Sequence, residues 1–209
     1  ALDNADTQAQ IAEEGAISPL VEMLTPHSTH SNPNAELSAV AQQKARSKAL
    51  GIANVAAGAL ATLAKDNIVN QLMITEDAGI PPLVDLLKEA SADEGAYESP
   101  TRALWHLAAT EDNQTAIARA GGIAPLVTLL TSHSDSTAQY AAAALCSLAR
   151  DHTENQVALA KAGAIAPLVE LLGSDSADTQ EHAVGALLYL ASQDAASRNA
   201  VVQRLVAVL

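Results

Sequence analysis

Gly122-Ile123-Ala124-Pro125-Leu126-Val127-Thr128-Leu129-Leu130 reads as a turn, a helix start and an apolar helix stripe. Proline is tolerated in the first turn of a helix, and Leu-Val-x-Leu-Leu at helical spacing buries one face. The same phrase returns as Ala164-Ile165-Ala166-Pro167-Leu168-Val169-Glu170-Leu171-Leu172. Upstream it occurs as Gly79-Ile80-Pro81-Pro82-Leu83-Val84-Asp85-Leu86-Leu87 and as Gly15-Ala16-Ile17-Ser18-Pro19-Leu20-Val21-Glu22-Met23-Leu24. The shared prolines fall at 19, 82, 125 and 167, spaced by 63, 43 and 42 residues.

Two further motifs keep the same period. Ala59 to Ala64, Ala103 to Ala108, Ala144 to Ala149 and Ala186 to Ala191 follow each phrase as Ala-Leu-x-x-Leu-Ala. Asn70-Gln71, Asn113-Gln114 and Asn155-Gln156 precede it, with Thr7-Gln8 in the first copy. The polar pair is read as the N-cap region of a short helix that Gly ends. The last helix of each copy carries a capping signal, Ser136 with Gln139 and Asp178 with Glu181; Gly95 and Glu98 hold that register in the second copy. One short and two longer helices per copy cannot bury their faces alone, so copies must stack.

This pattern resembles the armadillo repeat family over about residues 5–209. The nearest likeness is to plant ubiquitin-ligase arrays, vacuolar armadillo proteins and protist proteins. The resemblance implies an all-α, right-handed superhelical α-solenoid forming one domain over 1–209. Its copies are expected at about 5–66, 67–110, 111–152 and 153–194, with a partial one at 195–209. It also implies a protein-protein interaction scaffold rather than an enzyme, with no cofactor. The alternatives are the substrate-recognition arm of a larger enzyme, such as a ubiquitin ligase, and a nuclear transport adaptor.

In that family the third helices line a concave groove. Importin-α-type and catenin-type repeats place Asn just before the final Leu-Ala, and importin-α types add Trp four residues earlier. Here the Asn positions hold Thr62, His106, Ser147 and Tyr189, and the Trp positions hold Gly58, Arg102, Ala143 and Gly185. An amide both donates and accepts along a peptide backbone, which hydroxyls do less well. The import-adaptor reading is therefore disfavoured. The groove contacts expected from the resemblance are Thr62, Arg102, His106, Tyr140, Ser147, His182 and Tyr189. Trp105, in register with Ala61, Cys146 and Leu188, is read as packing between repeats rather than as a ligand platform.

Composition agrees with close helix packing. Hydrophobic residues make up 49% of the 209, aromatic residues only 2%, and Phe is absent. The net charge of −13 disfavours nucleic acid as partner. It favours a basic or neutral protein or peptide, or simply keeps the array in solution. The single cysteine, Cys146, excludes an internal disulfide and fits an intracellular setting, cytoplasmic or nuclear. It lies between Leu145 and Leu148 and is read as packing, not as a nucleophile. No apolar run reads as a membrane span, and no signal peptide opens the chain. His27 and His30 share a polar loop without a third ligand, so no metal site is assigned. Glu13-Glu14 and Glu111-Asp112 sit at helix ends, where the helix dipole explains them.

Two departures individualise the chain. Leu130 to Leu145 and Leu172 to Leu187 are both 15 apart, whereas Leu24 to Leu60 is 36. An insertion over about 25–51 is expected to be helical from Ala35, either kinked at Gly51 or continuous into the third helix. Leu37, Val40, Lys44, Arg46 and Lys48 make it a second candidate contact surface, for a partner or for a second copy of the chain. The other departure is the end, where Arg204 to Leu209 stop within an apolar stripe. Leu205, Val206, Val208 and Leu209 are expected to form an exposed edge open to self-association.

Overall fold

The computed structural model describes residues 5–25, 39–89 and 94–208. Three-helix units follow one another: α1 (Ala5–Glu13), α2 (Ile17–Leu24) and α3 (Ala39–Ala64), then α4 (Ile68–Glu76), α5 (Ile80–Lys88) and α6 (Glu98–Leu107). Next come α7 (Glu111–Arg119), α8 (Ile123–Leu129) and α9 (Asp135–Ala149), then α10 (Thr153–Lys161), α11 (Ile165–Glu170) and α12 (Ala177–Gln193). A last helix, α13 (Ala195–Val208), closes the described chain, and short 3-10 turns at Glu94–Tyr97 and Leu171–Gly173 precede α6 and α12. The units stack into a right-handed superhelical α-solenoid, and no strand occurs among the described residues.

The third helices pack in series, α3 on α6, α6 on α9 and α9 on α12. Their composition allows it. Ala53, Ala56, Ala57 and Ala61 of α3, and Ala141, Ala142, Ala144 and Ala149 of α9, are buried beside Leu60 and Leu145. Alanine has the best helix propensity and lets helix axes approach closely. The second helices bury the predicted stripe: Leu83, Val84, Leu86 and Leu87 in α5, and Leu126, Val127 and Leu129 in α8, with Leu130 buried just after it.

The turn between first and second helices differs from the sequence reading by one residue. The left-handed positions are Gly15 (φ 82°), Ala78 (58°), Gly121 (79°) and Gly163 (81°), not Gly79 and Gly122. Gly79 is instead pressed against the preceding helix, where a Cβ would lie 2.8 Å from Cγ2 of Ile74.

The Asn-Gln pairs are not caps. The caps are Asn67, Thr110 and His152, whose side chains accept from the backbone N–H of Asn70, Asn113 and Asn155. The Asn-Gln side chains are buried and reach back across the turn. Asn70 and Gln71 donate to the carbonyls of Leu63 and Ala64 at 2.9 and 2.8 Å. Asn113 and Gln114 donate to Leu107 and Ala108 at 2.9 and 3.2 Å, and Asn155 and Gln156 to Leu148 and Ala149 at 3.0 and 2.8 Å. Every α-helix ends in carbonyls without intrahelical partners. Here each unit closes the third helix of the unit before it.

Third-helix capping is also displaced. Ser134 and Ser176 cap α9 and α12 by accepting from the N–H of Thr137 and Thr179. Ser136 instead donates to the Glu98 carboxylate at 2.7 Å, and Asp178 accepts from Gln139 at 3.3 Å. Both are ties between neighbouring units. Tyr97 precedes α6 without a side-chain cap bond.

The insertion makes α3 longer than α6, α9 and α12, and α3 is one helix through Gly51. Residues 42–48 are all exposed, Lys44, Arg46 and Lys48 among them. Arg46 pairs with Glu89 just after α5. Leu37 lies outside the described residues, as does the side chain of Val40. Gln42–Ala64 is also long and apolar enough to cross a membrane by length and composition, which corrects the sequence reading. Alanine and glycine let so mixed a segment qualify. The buried face of this segment belongs to the core of the stack.

At the other end, Ala195–Val208 form one helix, α13. Without Gly or Pro to break it, the segment continues straight. Leu205 is half-buried against the core, which corrects its expected exposure, while Val206 is exposed. The side chains of Val208 and Leu209 lie outside the description.

A candidate binding groove

Third-helix side chains from three successive units converge on one open cavity of about 310 Å³. It is lined by Ala61, Thr62 and Lys65 from the first unit, Arg102, Trp105 and His106 from the second, and Gln139 and Tyr140 from the third. Four of the residues singled out from sequence thus meet here: Thr62, Arg102, His106 and Tyr140. His182, from α12, joins through a ring contact. Ser147 and Tyr189 are half-buried on α9 and α12 and do not line this cavity. The lysines and Arg46 of the α3 extension form no part of it.

The centre is Trp105, which the sequence reading assigned to packing. It does pack against the core, and it also faces the cavity. Its ring stacks on His106 at 4.5 Å between centroids and on Tyr140 at 5.6 Å, and it meets His182 edge-on at 5.8 Å. Such offset and edge contacts are the favoured arrangements of aromatic rings. The available signal was local: the one tryptophan of the chain stands beside His106 and three residues after Arg102.

The electrostatics follow from partial burial. Desolvation lowers the His106 pKa to about 4; Asp66 opposes this, and Arg102 and Lys65 reinforce it. His182 is likewise lowered by burial, against Glu181 and Asp178. Both rings are therefore neutral at pH 7. Burial raises the Cys146 thiol, so it is protonated at neutral pH and sits in the core. Its sulfur also explains why position 185 takes no larger side chain: a Cβ on Gly185 would lie 2.7 Å from Cys146 Sγ.

Arg102 is the least satisfied group in the groove. Its Nε is buried without a hydrogen-bond partner. One Nη2 contact, at 3.5 Å, reaches the Gly58 carbonyl. Among the described residues no cluster of three His, Cys, Asp or Glu side chains could hold a metal. His27 and His30 lie outside those residues.

Serial three-helix units whose third helices pack one on the next define a helical repeat solenoid. Residues 110–150 and 152–192 match the Armadillo/beta-catenin-like repeat, and the fold is that of an armadillo-repeat solenoid. It is similar to an engineered protein of known crystal structure, at 29% identity and a TM-score of 0.75, covering 96% of this chain and 74% of that one. It is also similar to computationally designed armadillo repeat proteins for modular peptide recognition (26%, TM-score 0.74, covering 95% and 74%). A third likeness is to a designed armadillo repeat protein in complex with the peptide (KR)4 (25%, TM-score 0.72, covering 96% and 75%). No curated protein matches the sequence.

Proposed function

We propose that the chain is a binding module that holds an extended segment of a partner protein along its third-helix groove. The observation that carries this is the cavity at Trp105, to which three successive units contribute side chains. The core does not need those polar groups, and concave sites with a few convergent polar residues are where ligands bind. The fold supports a protein- or peptide-binding scaffold, and structural neighbours include proteins designed to recognise peptides. Thr62, Arg102, His106 and Tyr140 would contact the segment directly, with Ser147, His182 and Tyr189 extending the track.

The α3 extension supports a second contact surface. Its residues 42–48 are exposed, and Lys44 and Lys48 lie on the part of α3 that makes it longer than α6, α9 and α12. Selection of a displayed random-peptide library on the protein, followed by binding to variants, separates the two. His106→Glu and Tyr140→Ala should abolish capture of the selected peptides, while Lys44→Glu with Lys48→Glu should not. The reverse pattern would place binding on the extension and overturn the groove reading.

A further inference from the structure

We infer that the cavity around Trp105 is a subsite for a carboxylate side chain, and that the groove takes an extended acidic peptide. This rests on the groove reading above and adds the chemistry of the occupant. The chain's net charge of −13 favours a basic partner when taken as a whole. The lining of the cavity has the opposite sign: its charged members are Lys65 and Arg102, and it contains no carboxylate. Charges farther than a Debye length, about 8 Å at physiological ionic strength, are largely screened. The lining therefore decides what enters. The acidic groups within electrostatic reach are Asp66, which acts on His106, Glu181, which acts on His182, and Asp178, which acts on His182 and already accepts from Gln139 of the lining at 3.3 Å.

The donors are arranged for an acceptor. A guanidinium offers five N–H groups in a planar fork that matches a carboxylate in bidentate fashion. Arg102 uses one of them at the limit of hydrogen-bond distance, and its Nε is buried without a partner. A buried donor left unmade costs free energy, and a ligand or a water in the cavity would supply its missing acceptor. Gln139 and Tyr140 border the same space. His106, neutral because of its burial, does not compete with the acid for charge. Its ring and the Tyr140 ring cover Trp105 by stacking, leaving the indole poorly placed to stack on a lysine or arginine stem.

The chain's single tryptophan sits in the proposed subsite, so its fluorescence reports occupancy without a label. The probes are end-blocked octapeptides alternating Glu with Ser, and the same peptides with Gln or Lys in place of Glu. The Glu peptide should give a saturable change in Trp105 emission and bind at least tenfold tighter than the Gln peptide, about 1.4 kcal/mol. Arg102→Gln should remove that advantage, so that the variant binds the Glu peptide no tighter than it binds the Gln peptide. Arg102→Lys, which keeps charge but not the fork, should retain part of it, and thermal melts verify that both variants fold. Equal binding of the Glu and Gln peptides, or tighter binding of the Lys peptide, would overturn the carboxylate subsite while leaving the groove reading intact. No saturable response to the Glu peptide up to millimolar concentration also overturns it. A groove reading that is itself wrong shows differently, as capture of library peptides that is insensitive to His106→Glu.

Discussion

At the scale of single residues, the second unit keeps an alanine where the others have glycine. Ala78 has φ 58°, and its counterparts Gly15, Gly121 and Gly163 share that left-handed conformation. An L-residue with a Cβ is disfavoured there by roughly 1–2 kcal/mol. Ala78→Gly should therefore stabilise the protein by about 1 kcal/mol and raise its melting temperature by about 2–4 °C, as read by a thermal melt. His106 gives a second residue-scale expectation. Its pKa is about 4 in the fold against 6.5 unperturbed, so protonation favours the unfolded chain. The contribution is whole above pH 6.5 and is lost as pH falls from there toward 4. Since the ring is partly exposed, the loss is on the order of 1–2 kcal/mol. Urea midpoints at pH 7 and 4.5 should differ less in His106→Gln than in the parent protein.

At the scale of elements, the Asn-Gln pairs are the joints of the stack. Asn155→Ala leaves the Leu148 carbonyl buried without its partner, which costs about 1–3 kcal/mol. Equilibrium urea denaturation should show that loss, and an unchanged midpoint would remove the pair from the account of stability. These elements also show what was readable in the sequence and what was not. Leu-Val-x-Leu-Leu and Ala-Leu-x-x-Leu-Ala have helical period, and a period fixes which face is buried; the second- and third-helix stripes were legible for that reason. The Asn-Gln role was not, because a bond from Asn155 to a carbonyl 7 residues earlier depends on how the chain turns at Asp151 (φ 53°). Caps at Ser134 and Ser176 were missed because Ser, Asp and Thr compete within a few residues, and only the backbone decides among them. Thr62, Arg102, His106 and Tyr140 could be singled out by analogy of register. Their meeting around Trp105 depends on the splay between third helices, which no single helix records.

At the scale of the whole molecule, α12 exposes the face that α9 buries. Val184 and Leu188 of α12 are 45% and 65% exposed, whereas Ala142 and Cys146, at the same register in α9, are buried under the following unit. The same type of substitution should therefore act differently at the two places. Leu188→Glu should leave the melting temperature within about 2 °C of the parent, as surface changes do. Ala142→Glu puts an unpaired carboxylate inside the stack and should cost at least about 3 kcal/mol. Similar losses at both positions, measured by thermal denaturation, would mean that the α12 face is covered in solution. Concentration-dependent light scattering would then identify a second copy as the cover. The same scale explains how an acidic protein can hold a cationic cavity: a solenoid has an inner and an outer surface, and its net charge is the sum over both.

The backward reach of the Asn-Gln pairs gives the chain a direction in time. A ribosome releases the third helix of each unit before it releases the residues that satisfy that helix's last carbonyls, and the donor follows 6 or 7 residues behind the acceptor. During synthesis, each completed unit thus waits for the opening turn of its successor before its own end is sealed. A nascent chain that has emerged from the ribosome only as far as Glu154 should carry a loosened α9 terminus, and emergence of the next few residues should close it. The growing array then tightens like a ratchet, one notch behind the point of synthesis.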